Sequence, residues 1–224
     1  MTRAKRDIAT ISEIAAVVFD LDGVLLDSEP LHFRAASRVF DRAGKVLTQE
    51  TYRQFIGCGA LETWTAWKAR HDLESSVAEL IAEDEKARLN EIERGVDAIP
   101  AAIELARRLA GGAMPLAIAS SSTPETIDAE LRALGIGDVF KLRASGEHVA
   151  RSKPAPDVYL RAAELLGVSA KSCLAIEDSP VGVAAAKAAG MTCVAVPTTW
   201  TRQGDFSQAD VVLESLRYFP LLLT

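Results

Sequence analysis

The chain has 224 residues, a formal net charge of -6 and 49% hydrophobic content. That is enough apolar material for one substantial core, with residues left over for a smaller second unit. Lys and Arg are scattered rather than clustered, so the basic footprint required by a nucleic acid or an acidic membrane surface is missing, and a small-molecule ligand fits better.

Arg3, Lys5 and Arg6 precede an apolar run at 15–19, an order that superficially resembles a secretory signal. The run is too short and ends in Asp20-Leu21-Asp22, so export is rejected and a soluble protein is expected, with a reducing cytoplasm and a monomer as defaults. Elsewhere charges interrupt every apolar stretch well before the roughly 18 residues that would span a bilayer.

The 15–19 run is continuously apolar and partly β-branched, which predicts a strand covered on both faces. Asp20 and Asp22 follow it, separated by one apolar residue. In extended chain both carboxylates face one side while Leu21 turns into the core, and Gly23 permits a sharp turn. Taken alone, the same string is an acidic loop start. Residues 31–98 hold no convincing strand and read as successive helices near 31–43, 49–56, 60–71 and 75–94. Such a block is a helical lid inserted after the first strand.

A second strand is predicted at 116–119, ending in Ser120-Ser121-Ser122. Pro124 opens a helix with an apolar face of Ile127, Leu131 and Leu134, closed by Gly135. Hydroxyls beside free backbone N–H groups and a helix N-terminus can cradle phosphate, although an ordinary N-cap is the commoner use. A weaker strand is predicted at 139–142. Lys153 stands in Ser152-Lys153-Pro154-Ala155-Pro156, and a helix runs from Pro156 to Gly167. The stiff backbone would hold the ammonium as a fixed point charge.

The run 173–176 ends in Glu177-Asp178, two hard oxygen ligands suited to Mg²⁺ or, alternatively, two acids complementing a helix dipole. Ser179-Pro180 starts an Ala-rich helix that Gly190 stops, and strands follow at 192–196 and 211–213. Cys58, Cys173 and Cys193 are odd in number and lack a paired spacing, so no disulfide framework is expected. Strand alternating with helix makes an open α/β sheet, and all four polar features fall at carboxyl ends of strands, where such sheets bind ligands.

In order, Asp20-Leu21-Asp22-Gly23-Val24, Ser120, Ser152-Lys153-Pro154 and Glu177-Asp178-Ser179-Pro180 resemble the motifs of the haloacid dehalogenase-like hydrolase superfamily. The similarity is greatest to its β-phosphoglucomutase-like branch of sugar-phosphate phosphatases and mutases. The resemblance implies a Rossmann-like three-layer sandwich with a parallel sheet at 1–31 and 99–224, and a helical cap at 32–98. It implies Asp20 as nucleophile, Asp22 as general acid and base, and Ser120, Ser121 and Lys153 as phosphate holders. Mg²⁺ would be bound by Asp20, the Asp22 backbone carbonyl and Asp178, with Glu177 assisting. The expected activity is hydrolysis of a small phosphate monoester, a sugar phosphate or related metabolite, through an aspartyl-phosphate.

A phosphosugar mutase is the alternative, but Ala60 stands where that branch carries a lid arginine. A non-catalytic phosphate sensor would lack Asp20 or Asp22, and dehalogenases lack the second aspartate; both residues are present. His32 matches a histidine of the branch and reads equally as a hinge residue. Trp64 and Trp67, three apart on one helical face, line an entrance or pack lid helices.

Overall fold

In the computed structural model residues 14–222 are described, so Arg3, Lys5 and Arg6 lie outside the described residues. Strands β1 (Ala16–Phe19), β2 (Leu116–Ser120), β3 (Leu142–Ser145), β4 (Cys173–Glu177), β5 (Thr192–Ala195) and β6 (Val211–Val212) form one sheet, entirely parallel, in the order β3-β2-β1-β4-β5-β6. The continuous apolarity of β1 has the expected cause, because alternate side chains enter two separate cores. Val17 and Phe19 join a cluster with Leu105, Ile127 and Leu131, whereas Ala16 and Val18 join one with Val158, Tyr159 and Ala186.

The first cluster is covered by helices α5 (Pro100–Gly111) and α6 (Pro124–Ala133), and the second by α7 (Asp157–Leu166) and α8 (Pro180–Ala188). Between β1 and β2 lie α1 (Glu29–Arg42), α2 (Gln49–Arg53), α3 (Ala60–His71) and α4 (Val77–Glu93). They have a core of their own, built on Phe40, Tyr52, Trp64, Trp67 and Leu80. The architecture is therefore a Rossmann-like α/β core with a cap-like helical insertion.

The chain enters and leaves this insertion through paired backbone. The Asp27 N–H donates to the Asp97 carbonyl at 2.8 Å, and the Ile99 N–H donates to that of Leu25 at 2.9 Å. Within the cap, buried Glu91 on α4 draws in Arg34 and Arg38 of α1 at 2.7 and 2.6 Å. Local signals place the helix ends. Ser76 and Glu79 close a capping box on α4, Thr123 caps α6 ahead of Pro124, and Gly167 ends α7 with φ +69°.

Several sequence-based expectations shift. Strand β3 begins at Leu142 rather than ending there, because Ile136 and Phe140 are spent on a hydrogen-bonded turn whose Phe140 ring packs 5.3 Å from Phe19. Helix α1 starts two residues early, with Pro30 in its first turn, and α2 stops at Arg53. Helix α5 was not anticipated, although Pro100 at its first turn is a legible start signal. Cys58, Cys173 and Cys193 are free thiols.

Candidate active site

Beyond β1 the ladder continues for one residue, with the Asp20 N–H donating to the Ile176 carbonyl at 2.9 Å. This fixes Asp20 at the carboxyl rim beside the end of β4. Leu21 is fully buried, as the alternation requires, and Asp20 and Asp22 both line the same cavity. Gly23 then turns with φ +72°, and a Cβ there would lie 2.3 Å from Asp178 Oδ2. The glycine serves both the backbone conformation and the approach of the Asp178 carboxylate.

Lys153 reaches the rim from the loop before α7. Its Nζ donates to Glu177 Oε1 at 2.7 Å and lies 3.1 Å from Asp20 Oδ1. Glu177 has no exposed surface and is saturated with donors. The Tyr159 hydroxyl donates to Oε1 at 2.6 Å, while Oε2 accepts the Asp178 N–H at 3.0 Å and both the N–H and the hydroxyl of Ser179 at 3.2 Å. A buried carboxylate with this many donors orients its neighbours. Gly182 makes room for it, since a Cβ there would fall 1.8 Å from Oε1.

Asp20, Glu177 and Asp178 each offer an oxygen within 4.8 Å of the others'. Burial, and then the charge of Glu177, pushes the Asp20 and Asp178 carboxyls well above their ordinary range. Lys153 is held charged: burial opposes its charge, but Asp20 and Glu177 outweigh burial. One ammonium against three buried carboxyl groups leaves an acidic excess, and this oxygen-only donor set fits a hard divalent cation.

Asp22 faces the other side of the site. Its Oδ2 accepts from Ser122 at 3.2 Å and from Ser120 at 3.4 Å, and Ser120 Oγ in turn accepts the Ser122 N–H at 3.0 Å. Ser120 thus ends β2 as expected, but Thr123 is the residue that caps α6. Ser121 is exposed and lines the cavity, and its backbone packs so closely on Gly146 that a Cβ there would lie 2.7 Å from the Ser121 oxygen.

His32 Nε2 stands 3.3 Å from Asp22 Oδ1 and 3.8 Å from Glu130 Oε1. Burial, reinforced by Arg88, pushes His32 down to about 4, so it is a neutral imidazole at neutral pH. For Asp22 burial works against the charge; the His32 ring in its protonated form, Arg88 and the Ser122 hydroxyl work for it and bring the carboxyl below its ordinary range. Glu130 is fully buried, with neither side-chain oxygen hydrogen-bonded, and burial and nearby Asp22 raise it well above its ordinary range.

The cap supplies the opposite wall. Tyr52 donates to Glu29 Oε2 at 2.6 Å, Arg88 pairs with Asp84 at 2.9 Å, and Trp64 Nε1 donates to Asp84 Oδ2 at 3.3 Å. Glu85 accepts from the hydroxyls of Thr123 and Thr126, tying α4 to α6. Burial pushes Glu29 up to about 7. Trp64 and Trp67 combine both roles weighed for them, since they sit in the cap core and also line the cavity. Trp200, which had no expected role, packs at 6.1 Å from Tyr52 with Arg53 stacked 4.5 Å over its ring.

Sequence reading missed Glu29, Tyr52, Asp84, Glu85, Arg88, Glu130 and Tyr159. The Glu130 signal was present, because it is an acid inside the apolar stripe of Ile127, Leu131 and Leu134. The others come from four different helices, and only packing brings them together.

The family model for haloacid dehalogenase-like hydrolases matches residues 17–196, from β1 through the end of β5. The chain belongs to that family. The hydrolase is 38% identical over 209 residues to Protein CbbY of Rhodobacter capsulatus, covering 88% of this chain and 92% of that protein. It is 32% identical over 202 residues to validoxylamine A 7'-phosphate phosphatase of Streptomyces hygroscopicus subsp. limoneus, covering 89% and 92%. Crystal structures of CbbY from Rhodobacter sphaeroides superpose on it with a TM-score of 0.85, covering 91% of this chain and 95% of that one. One contains phosphate, at 30% identity, and one is a variant with xylulose 1,5-bisphosphate, at 29%.

Proposed function

We propose that this hydrolase is a Mg²⁺-dependent phosphatase that takes the phosphoryl group of a small monoester, a sugar phosphate or related metabolite, onto Asp20 and releases it to water. The reading rests on one observation: Asp20 meets Lys153 at 3.1 Å and shares a ligand-sized cluster with Glu177 and Asp178, while Asp22 lines the same cavity. The phosphatase among its relatives and the phosphate-bound CbbY structure support it.

A carboxylate approaching a dianionic phosphate meets a repulsion of about 8 kcal/mol at ~4 Å and an effective dielectric of ~20. Lys153 offsets part of it and, with Ser120 and Ser121, would hold the phosphoryl oxygens. Asp20, Asp178 and the Asp22 backbone carbonyl, with Glu177 assisting, would hold Mg²⁺, which when bound neutralises the acidic cluster and polarises the phosphoryl group. Glu177 acts mainly by fixing Lys153 and the start of α8.

In the first half-reaction an Asp20 oxygen forms a bond to phosphorus as the ester oxygen leaves, taking a proton from Asp22. In the second a water attacks phosphorus, gives a proton to Asp22, and the bond to Asp20 breaks. Asp22 rests as a carboxylate, the state that accepts the water's proton; an arriving phosphate anion raises its pKa toward the protonated state required first. A monomer is the working unit proposed. The test is phosphate release from p-nitrophenyl phosphate with Mg²⁺ by wild type and Asp20→Asn: wild type turns over and the variant is inactive, and retained activity in the variant would remove the assignment.

A further inference from the structure

Trp200 lies in the turn at 198–204 that follows β5, yet its ring packs against the aromatic cluster of the cap. It stands edge-on to Tyr52 at 6.1 Å, with the Arg53 guanidinium 4.5 Å over its face. Arg53 Nη1 also donates to the Trp200 carbonyl at 3.5 Å. Two consecutive cap residues thus grip one residue of a turn that belongs to the sheet.

The same turn reaches inward to the acidic cluster. The Trp200 N–H donates to Thr198 Oγ1 at 3.1 Å, Thr198 Oγ1 and Thr201 Oγ1 lie 3.2 Å apart, and the Thr201 hydroxyl donates to Asp178 Oδ2 at 3.4 Å. Each hydroxyl carries one proton, and Thr201 Oγ1 already accepts the Thr198 N–H at 3.0 Å. With Thr198 donating to Thr201 and Thr201 to Asp178, every link runs in one direction, and such links strengthen one another. Thr201 is 6% exposed and is the one side-chain donor within hydrogen-bond distance of the Asp178 carboxylate among the described residues. The turn is braced on the helix that Asp178 precedes, since the Gly204 N–H donates to the Thr201 carbonyl at 2.8 Å and a Cβ on Gly204 would lie 2.4 Å from Pro180 Cγ. The link to Asp178 is the longest of the three, so a small shift of the turn makes or breaks it first.

We propose that Thr201 is a positioning residue for Asp178 and that the cap, by gripping Trp200, sets the turn that carries it, so that cap seating and cation binding favour each other. The inference rests on the part of the phosphatase reading that places Mg²⁺ on Asp178. A cation that binds the cap-seated arrangement more tightly stabilises that arrangement by the same factor. A turn that merely closed the loop would use the Thr198 and Thr201 bonds and leave cation affinity unmoved.

The experiment measures binding of Mn²⁺, standing in for Mg²⁺, to the substrate-free protein from the electron paramagnetic resonance of the free ion. Beside it runs Mg²⁺-dependent phosphate release from p-nitrophenyl phosphate, with each variant checked for folding by circular dichroism. Thr201→Val, or Thr201→Ala should the valine variant not fold, should bind Mn²⁺ at least fivefold more weakly. It should also need at least fivefold more Mg²⁺ for half-maximal turnover, while kcat at saturating Mg²⁺ falls by a smaller factor. Thr201→Ser should recover most of the loss. Trp200→Ala should weaken Mn²⁺ binding at least threefold, and Thr201→Val should cost less in that background than in wild type. Wild-type Mn²⁺ affinity in folded Thr201→Val, or a serine variant no better than the valine one, overturns the positioning role. Wild-type affinity in Trp200→Ala, or strictly additive losses, overturns the coupling to the cap. Mn²⁺ binding without phosphate release by wild type overturns the phosphatase reading alone, and a wild type that binds no Mn²⁺ overturns both.

Discussion

Glu29 offers a stability test independent of turnover. It is 6% exposed, its Oε2 accepts the Tyr52 hydroxyl, and burial raises its pKa from 4.5 to about 7. Below about pH 4.5 the carboxyl is protonated in both folded and unfolded chains and stability is unaffected. Between about 4.5 and 7 the unfolded chain ionises while the folded one retains its proton, so stability falls as pH rises, and above 7 it levels off. A difference of about 2.5 units at 1.36 kcal/mol per unit gives about 3 kcal/mol, of which about 2 kcal/mol falls between about pH 5 and pH 8. Glu29→Gln keeps an acceptor for Tyr52 and cannot ionise. Urea unfolding of wild type and variant in EDTA, at several pH values across this range, should show the wild type losing about 2 kcal/mol more than the variant. Parallel curves would refute the burial argument.

Removing divalent metal with EDTA should abolish phosphate release and excess Mg²⁺ should restore it; a steady-state assay unaffected by EDTA would remove the metal from the mechanism. Asp22→Asn should lower kcat by about 10²–10⁴-fold, the usual range for losing a general acid and base, and rapid-mixing measurements should show both half-reactions slowed. Gly182→Ala should force Glu177 off Lys153 and Tyr159, since the added methyl would sit 1.8 Å from Oε1. The expected destabilisation is about 1–3 kcal/mol by denaturant titration, with kcat/KM reduced at least tenfold; a folded, fully active variant would show that Glu177 does not orient the site.

The sheet and its rim were legible because their signals are local. Apolar runs ending in Asp20, Ser120 and Glu177 mark where strands stop, and Pro124 and Pro180 mark where helices start. Phe140 misled because an apolar aromatic suits a strand and a buried turn equally, and only the ring of Phe19 decides between them. The cap wall was hidden for a different reason. Asp84, Glu85 and Arg88 have the spacing of an ordinary solvated helix face, and nothing in α4 alone indicates that this face turns toward α6 and the cavity. Glu29 likewise looks like a helix-start acid until Tyr52 closes over it.

The bonded pairing of Leu25 and Asp27 with Ile99 and Asp97 makes the exit from the sheet and the return to it nearest neighbours. An excursion that departs and comes home at one doorway imposes the same closure on the sheet however long or varied its route. Evolution can redraw the cap helices while the strand register that sets Asp20 beside Glu177 stays put.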